Sequence, residues 1–158
     1  MSRSRAIQFT LATEDNTSRL ACRLAPLLKP GDVILLEGPI GAGKTHFARS
    51  LILALLPQPE DVPSPSFTLV QTYRAPHFEI WHCDLYRLTS PDDVFELGLE
   101  EAMETALCLI EWPDRLAGAA PQSSLMISLR ASEGGQGHTA RFSASDPRWY
   151  PVLEALNA

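Results

Sequence analysis

Between Val33 and Leu56 the chain reads as strand, glycine loop and helix in immediate succession, and few folds accept that order. Val33-Ile34-Leu35-Leu36 is a continuous apolar run between turn residues, as a strand covered on both faces of a parallel sheet requires. Gly38-Pro39-Ile40-Gly41-Ala42-Gly43-Lys44-Thr45 follows at once. From Lys44 onward Phe47, Leu51, Ala54 and Leu55 recur at helical spacing until Pro57 ends the pattern. Glycines let the backbone curl into a concave nest of N–H groups, and the helix N-terminus adds partial positive charge, so this unit is built to hold an anion. Two placed glycines followed by Lys and then Ser or Thr arise by chance in about one chain of this size in a few hundred. Their position between strand and helix makes chance rarer still.

The anion such a loop serves is phosphate. Lys44 is expected to reach the β- and γ-phosphates of a nucleotide and to act in catalysis, with the Thr45 hydroxyl on Mg²⁺. ATP and Mg²⁺ are therefore the expected cofactors. Gly38, Gly41, Ala42, Gly43, Lys44, Thr45 and His46 are the expected nucleotide-binding residues of the loop. Magnesium in such sites also takes a carboxylate from the carboxyl end of a neighbouring strand. Glu111 ends the wholly apolar run Ala106 to Ile110, whereas Asp84 ends an alternating strand expected to be more exposed. Glu111 is accordingly assigned to the metal, and Asp84 to ordering or activating an attacking water, with a salt bridge to Arg87 as its structural alternative.

Ser64, Ser66 and Thr68 follow a loop with four prolines between Pro57 and Pro65 and are placed as a switch near the γ-phosphate; as isolated residues they would be turn caps. His82 shares a strand face with Asp84 and reads as a structural histidine, not a catalytic one. Trp112 is either a core aromatic or a lid on the nucleotide or a partner. Arg87 and Arg115 are candidates for stabilising transferring charge, although surface salt bridges account for most arginines.

The remaining pattern is a strand at Ile7 to Leu11, then a helix capped by Asn16 or Thr17 that carries Leu20, Leu24, Leu27 and Leu28 to Pro30-Gly31. Phe67 to Tyr73 and Phe78 to Leu85 form a hairpin, and Ser90-Pro91-Asp92-Asp93 opens a helix toward Leu97. Ser124 to Leu129 and His138 to Phe142 make a second hairpin across Ser132 to Gly137, before a short helix from Pro147. These elements predict an α/β chain in one domain over 1–158. The expected architecture is a three-layer P-loop NTPase-like fold with a mixed, mainly parallel central sheet and antiparallel hairpins.

Three widely spaced cysteines, Cys22, Cys83 and Cys108, fit neither a disulfide framework nor a metal knuckle and are expected as reduced, buried thiols of a cytoplasmic protein. The start Met1 to Arg5 reads as a frayed end, and apolar runs fall far short of the roughly 18 residues of a membrane span. A formal net charge of −6 argues against strong independent binding to nucleic acid, so any RNA link is expected through a partner.

Four motifs in order, Gly38 to Thr45, Ser64-Pro65-Ser66-Phe67-Thr68-Leu69-Val70, His82-Cys83-Asp84-Leu85-Tyr86-Arg87-Leu88 and Leu109-Ile110-Glu111-Trp112, resemble the TsaE family, formerly YjeE. The resemblance implies the ATPase component of bacterial tRNA threonylcarbamoyladenosine synthesis, working with TsaB-like and TsaD-like proteins, monomeric alone and touching tRNA only through the complex. It also implies Thr45 and Glu111 on Mg²⁺, Asp84 in hydrolysis, Ser66 in the switch, Trp112 by the nucleotide, and the segment Leu11 to Thr17, with Thr13, near adenine. The family loop usually has an acid where this chain has Pro39, and threonine where it has Ser66. A small-molecule or nucleoside kinase shares the loop but needs an acceptor pocket and an arginine-rich lid, whereas the thirteen Lys and Arg here are scattered and Thr89 to Thr105 is acidic. A binding module whose partner affinity is set by ATP is a third reading and overlaps the first.

Overall fold

The computed structural model describes residues 4–66, 68–132 and 137–158. Residues 1–3 of the expected frayed start, Phe67 at the head of the first hairpin and residues 133–136 in the turn of the second lie outside the described residues.

The apolar runs become the middle of one seven-stranded sheet, described in chain order as β1 (Arg5–Leu11), β2 (Val33–Glu37), β3 (Val70–Arg74), β4 (Glu79–Asp84), β5 (Leu107–Glu111), β6 (Leu125–Ala131) and β7 (His138–Ala144). Their order across the sheet is β1-β7-β6-β2-β5-β4-β3. The four central strands are parallel, through the pairs β6–β2, β2–β5 and β5–β4. The outer pairs β1–β7, β7–β6 and β4–β3 are antiparallel, and the last two are the expected hairpins. The sheet is thus mixed with a parallel centre, as the sequence predicts.

Burial on both faces explains why β2 and β5 carry no polar alternation. Along β2, Ile34 and Leu36 pack into one core cluster, with Phe47, Leu51, Phe142 and Trp149. Val33 and Leu35 pack into the other, with Leu85, Val94, Leu99 and Ile110. The first cluster is closed by the helices α1 (Glu14–Leu24), α2 (Lys44–Leu55) and α5 (Tyr150–Asn157), the second by α3 (Pro91–Phe95) and α4 (Leu99–Thr105), giving three layers. Arg148, just before α5, ties that end of the chain to the entrance of β2, donating to Asp32 at 2.7 and 3.1 Å and to the Leu27 carbonyl at 2.8 Å. Among the described residues no helix is long and apolar enough to cross a membrane.

Four local expectations are corrected. The first helix starts a turn earlier than Asn16 or Thr17, because Thr13 and Asn16 form a reciprocal capping box; Thr17 is thereby drawn into the buried face. Leu27 and Leu28 lie past its end, since Pro26 opens a separate 3₁₀ turn over Ala25–Leu27. The acidic connection is two helices, because Gly98 at φ +98° stops the one begun at Pro91 and starts α4. Cys22 is exposed, whereas Cys83 and Cys108 are buried as expected.

Burial pushes the Cys108 thiol from the ordinary 9.0 up to about 12, and that of Cys83 well above 9.0, because the thiolate would lose its hydration. At pH 8 a thiol reagent should titrate one cysteine in the native protein and three after denaturation. The neutral buried thiols contribute stability that is full below about pH 9 and is lost as pH rises from there toward about 12, because the unfolded thiols ionise first. Urea midpoints across that range check the sign, and Cys108→Ala should flatten the decline.

Candidate functional site

Beyond β2 the chain turns through Gly38, Gly41 and Gly43 at φ +148°, +82° and +98°, conformations that side-chain-bearing residues avoid. Gly43 caps α2 with no side-chain acceptor, so the first N–H groups of that helix open into the loop. Lys44, 5% exposed, folds back over the same loop: its Nζ donates to the Gly38 carbonyl at 2.6 Å and the Pro39 carbonyl at 3.0 Å. The ammonium also lies 4.1 Å from the centre of the Trp112 ring. Burial holds the Lys44 ammonium below its ordinary range, with the Glu111 and Asp84 charges pulling the other way.

Register brings the two candidate acids together. In the parallel pairing of β4 with β5, Asp84 stands opposite Glu111, and β5 places Glu111 opposite Leu36 at the end of β2. Glu111 is 2% exposed; its Oε1 accepts from Thr45 Oγ1 at 2.8 Å, and its Oε2 meets His82 Nε2 at 2.7 Å. Asp84, 6% exposed, accepts from Ser66 Oγ at 3.3 Å and from the Tyr86 backbone N–H at 3.1 Å. The expectation of an exposed strand at Asp84 is therefore corrected: β3 covers the outer edge of β4, and Cys83 and Leu85 pack against α3 and α4.

A cavity of about 510 Å³ opens above these groups. Its walls take in Gly41 through His46, Ser64, Ser66, Asp84, Glu111 and Trp112, so most of the predicted residues converge. Gly38 contributes its carbonyl to Lys44 instead. Thr13 gives its hydroxyl to the capping box, while its neighbours Leu11, Glu14 and Thr17 line the cavity. Trp112 adopts a left-handed backbone, φ +58°, which turns its ring over the loop and 5.0 Å from Tyr86. Arg87 also lines the cavity, whereas Arg115 does not.

Three wall residues, Tyr86, Leu129 and His138, and one support escaped sequence reasoning. His138 opens β7 and reaches the loop only because β7 pairs with β1, opposite Leu11; its ring lies 3.9 Å from where a Cβ on Gly43 would stand. Nothing local in the sequence signals that. Tyr86 had no signal beyond its place in the motif that carries Asp84. His82 had one, the face it shares with Asp84, and it binds Glu111.

The donors suit magnesium: a hydroxyl and a carboxylate, already 2.8 Å apart, beside a glycine loop at a helix N-terminus. Among the described residues no group of three or more His, Cys, Asp or Glu side chains could hold a metal by itself. A cation here would complete its shell from phosphate and water, as Mg²⁺ usually does.

The profile of the family described as threonylcarbamoyl adenosine biosynthesis protein TsaE matches residues 11–140. The chain belongs to the TsaE family. A tRNA threonylcarbamoyladenosine biosynthesis protein TsaE of Rickettsia bellii is 43% identical over 123 residues, spanning 78% of this chain and 85% of that one. Its counterpart of the same name in Bacillus subtilis is 31% identical over 152 residues, 96% of this chain and 94% of the other. Among solved structures, the crystal structure of Bacillus subtilis YdiB superposes with a TM-score of 0.76 at 27% identity, over 99% of this chain and 96% of that one.

In this TsaE-family loop Pro39 acts through its backbone, its carbonyl accepting from both Ala42 N–H at 3.1 Å and Lys44. The departure from an acid at that position leaves the nest intact. Gly38 is less replaceable, because a Cβ there would stand 2.3 Å from the Leu129 carbonyl oxygen. Gly38→Ala should force the loop off β6 and lower stability by about 1–3 kcal/mol, read as a fall in the thermal midpoint, whereas Gly41→Ala, with open space around it, should lose less.

Proposed function

We propose that this chain is the ATP-binding and ATP-hydrolysing component of the tRNA threonylcarbamoyladenosine machinery, acting as a nucleotide switch on a TsaB/TsaD-type complex. One observation carries the reading: the hydrogen bond from Thr45 to Glu111 joins the start of the phosphate-loop helix to a buried carboxylate, with Lys44 and Asp84 beside it. Family membership supports the pathway, since relatives matched over most of their length bear that name. The protein acts in the cytoplasm, is monomeric alone, and meets tRNA through its partners, consistent with a net charge of −6.

In this reading the loop N–H groups and Lys44 hold the β- and γ-phosphates, and Thr45 and Glu111 would hold Mg²⁺, which neutralises charge on the phosphate oxygens. His46 follows on α2, and Ser66 and Trp112 close the site from either side. Asp84 orients the attacking water by accepting a hydrogen bond from it; as the water oxygen bonds to the γ-phosphorus, the bond to the bridging oxygen breaks, ADP leaves with its electron pair, and the water's proton passes to the phosphate released. The Ser66–Asp84 contact links the proline-rich segment to that step, which gives the switch a physical basis. Leu11, Glu14, Thr17 and His138 also line the cavity, and in this reading a base would lie against them.

Phosphate release from Mg²⁺-ATP, with and without TsaB-like and TsaD-like proteins, tests the reading. Lys44→Ala should weaken ATP binding at least about tenfold, as loss of a charged hydrogen-bond donor does. Glu111→Ala should abolish magnesium-dependent hydrolysis. Asp84→Asn should still bind ATP and lose about a hundredfold or more in turnover. Unchanged turnover in Glu111→Ala would remove that residue from the mechanism, and phosphate transfer to a small acceptor would make the protein a kinase.

A further inference from the structure

His82 sits in the sheet where no solvent reaches it, with 0% exposure. It stands opposite Leu109 in the register of β4 with β5, so Glu111 is its diagonal neighbour on the same face. Its two ring nitrogens have different fates: Nε2 lies 2.7 Å from Glu111 Oε2, and Nδ1 is buried with no hydrogen-bond partner. A carboxylate oxygen only accepts, so opposite an ionised Glu111 Nε2 is the donor, while Nδ1 is left without a partner. A side chain needed only to fill space here would be apolar, since an unpaired buried nitrogen is unfavourable.

The terminal torsion of a glutamate is soft and nearly two-fold, so a carboxylate anchored at one oxygen can still turn. Glu111 is anchored at both: Thr45 holds Oε1 and His82 holds Oε2. The alternative partner is Lys44, which precedes Thr45 on α2 and lines the same cavity as Glu111. We propose that His82 is a positioning residue, locking the Glu111 carboxylate so that Oε1 faces Thr45 and is not drawn toward Lys44. The inference rests on the Mg²⁺-nucleotide reading above and names what sets the geometry of its metal-binding carboxylate. Outer partners of this kind are worth about 10–100-fold in metal affinity.

The test uses Mn²⁺ as the probe, titrated by electron paramagnetic resonance against the full chain with a non-hydrolysable ATP analogue. H82Q, whose amide nitrogen reaches the Nε2 position, should keep Mn²⁺ affinity within about threefold. H82L should lose about 10–100-fold. H82N sets its amide at the level of Nδ1, too short for Glu111, and should lose as much, which covers the case in which H82L fails to fold. Affinity for the analogue in EDTA should be the same in all. In the protein alone, ring ¹⁵N spectra should show His82 with hydrogen on Nε2 and not Nδ1, perturbed by E111Q. Wild-type Mn²⁺ affinity in H82N or H82L, or hydrogen on Nδ1, would overturn the inference. A wild-type chain with no nucleotide-coupled Mn²⁺ binding would instead overturn the proposed function, with the ring spectrum still reporting on the His82–Glu111 pair.

Discussion

The site depends on one buried carboxylate. Glu111 is almost fully removed from water, and an ionised group there is tolerated only if its oxygens are matched. Thr45 and His82 supply the donors, so the position of the first turn of α2 and the register of β4 against β5 are both bound to the same side chain. A one-residue slip of β4 would turn His82 to the opposite face of the sheet and leave Oε2 bare. The apolar strands around it make such a slip costly, because Ile80 and His82 would exchange faces with Trp81 and Cys83.

Packing gives the loop its fixed platform. Because β2 buries both faces, it alternates Val33 and Leu35 toward α3 and α4 with Ile34 and Leu36 toward α1 and α2. The strand cannot shift without disturbing two cores, and the loop leaves it directly at Gly38. The backbone of Gly38 meets the Leu129 carbonyl, so β6 acts as a stop behind the loop. Leu69, held at φ +67° and bonded through its N–H to the Pro65 carbonyl, plays a similar part for the segment that carries Ser66, since its own carbonyl accepts from Asp84 N–H.

What could be read in advance was what is written locally. The apolar runs at Val33 and Ala106, three glycines and a lysine ahead of a helical repeat, and the prolines that end elements gave the parallel centre, the nest and the place of Glu111. What could not be read depends on contacts between distant segments. Alternation from Glu79 to Trp81 looks like a half-exposed strand, yet β4 is internal because β3 folds back along it. The cap at Thr13 was hidden because Asn16 and Thr17 are equally good capping residues, and only the reciprocal bond between Thr13 and Asn16 decides. His138 comes to the loop through the β1–β7 pairing, and His82 showed only a shared face with Asp84, not the oxygen it holds.

The Lys44 contacts have a consequence for which anions the loop can retain. Its ammonium is hydrogen-bonded to two neutral carbonyls and lies against an aromatic face, with the Glu111 and Asp84 charges acting on it as well, and those carbonyls belong to the first residues of the loop itself. A ligand that draws Lys44 away must supply full negative charge close by, and in doing so it frees the carbonyls of Gly38 and Pro39. A singly charged or poorly placed anion exchanges one set of weak contacts for another and gains little. An anion that carries several charges would gain more from the exchange than a singly charged one, so the contacts of Lys44 set a threshold for any anion entering the loop.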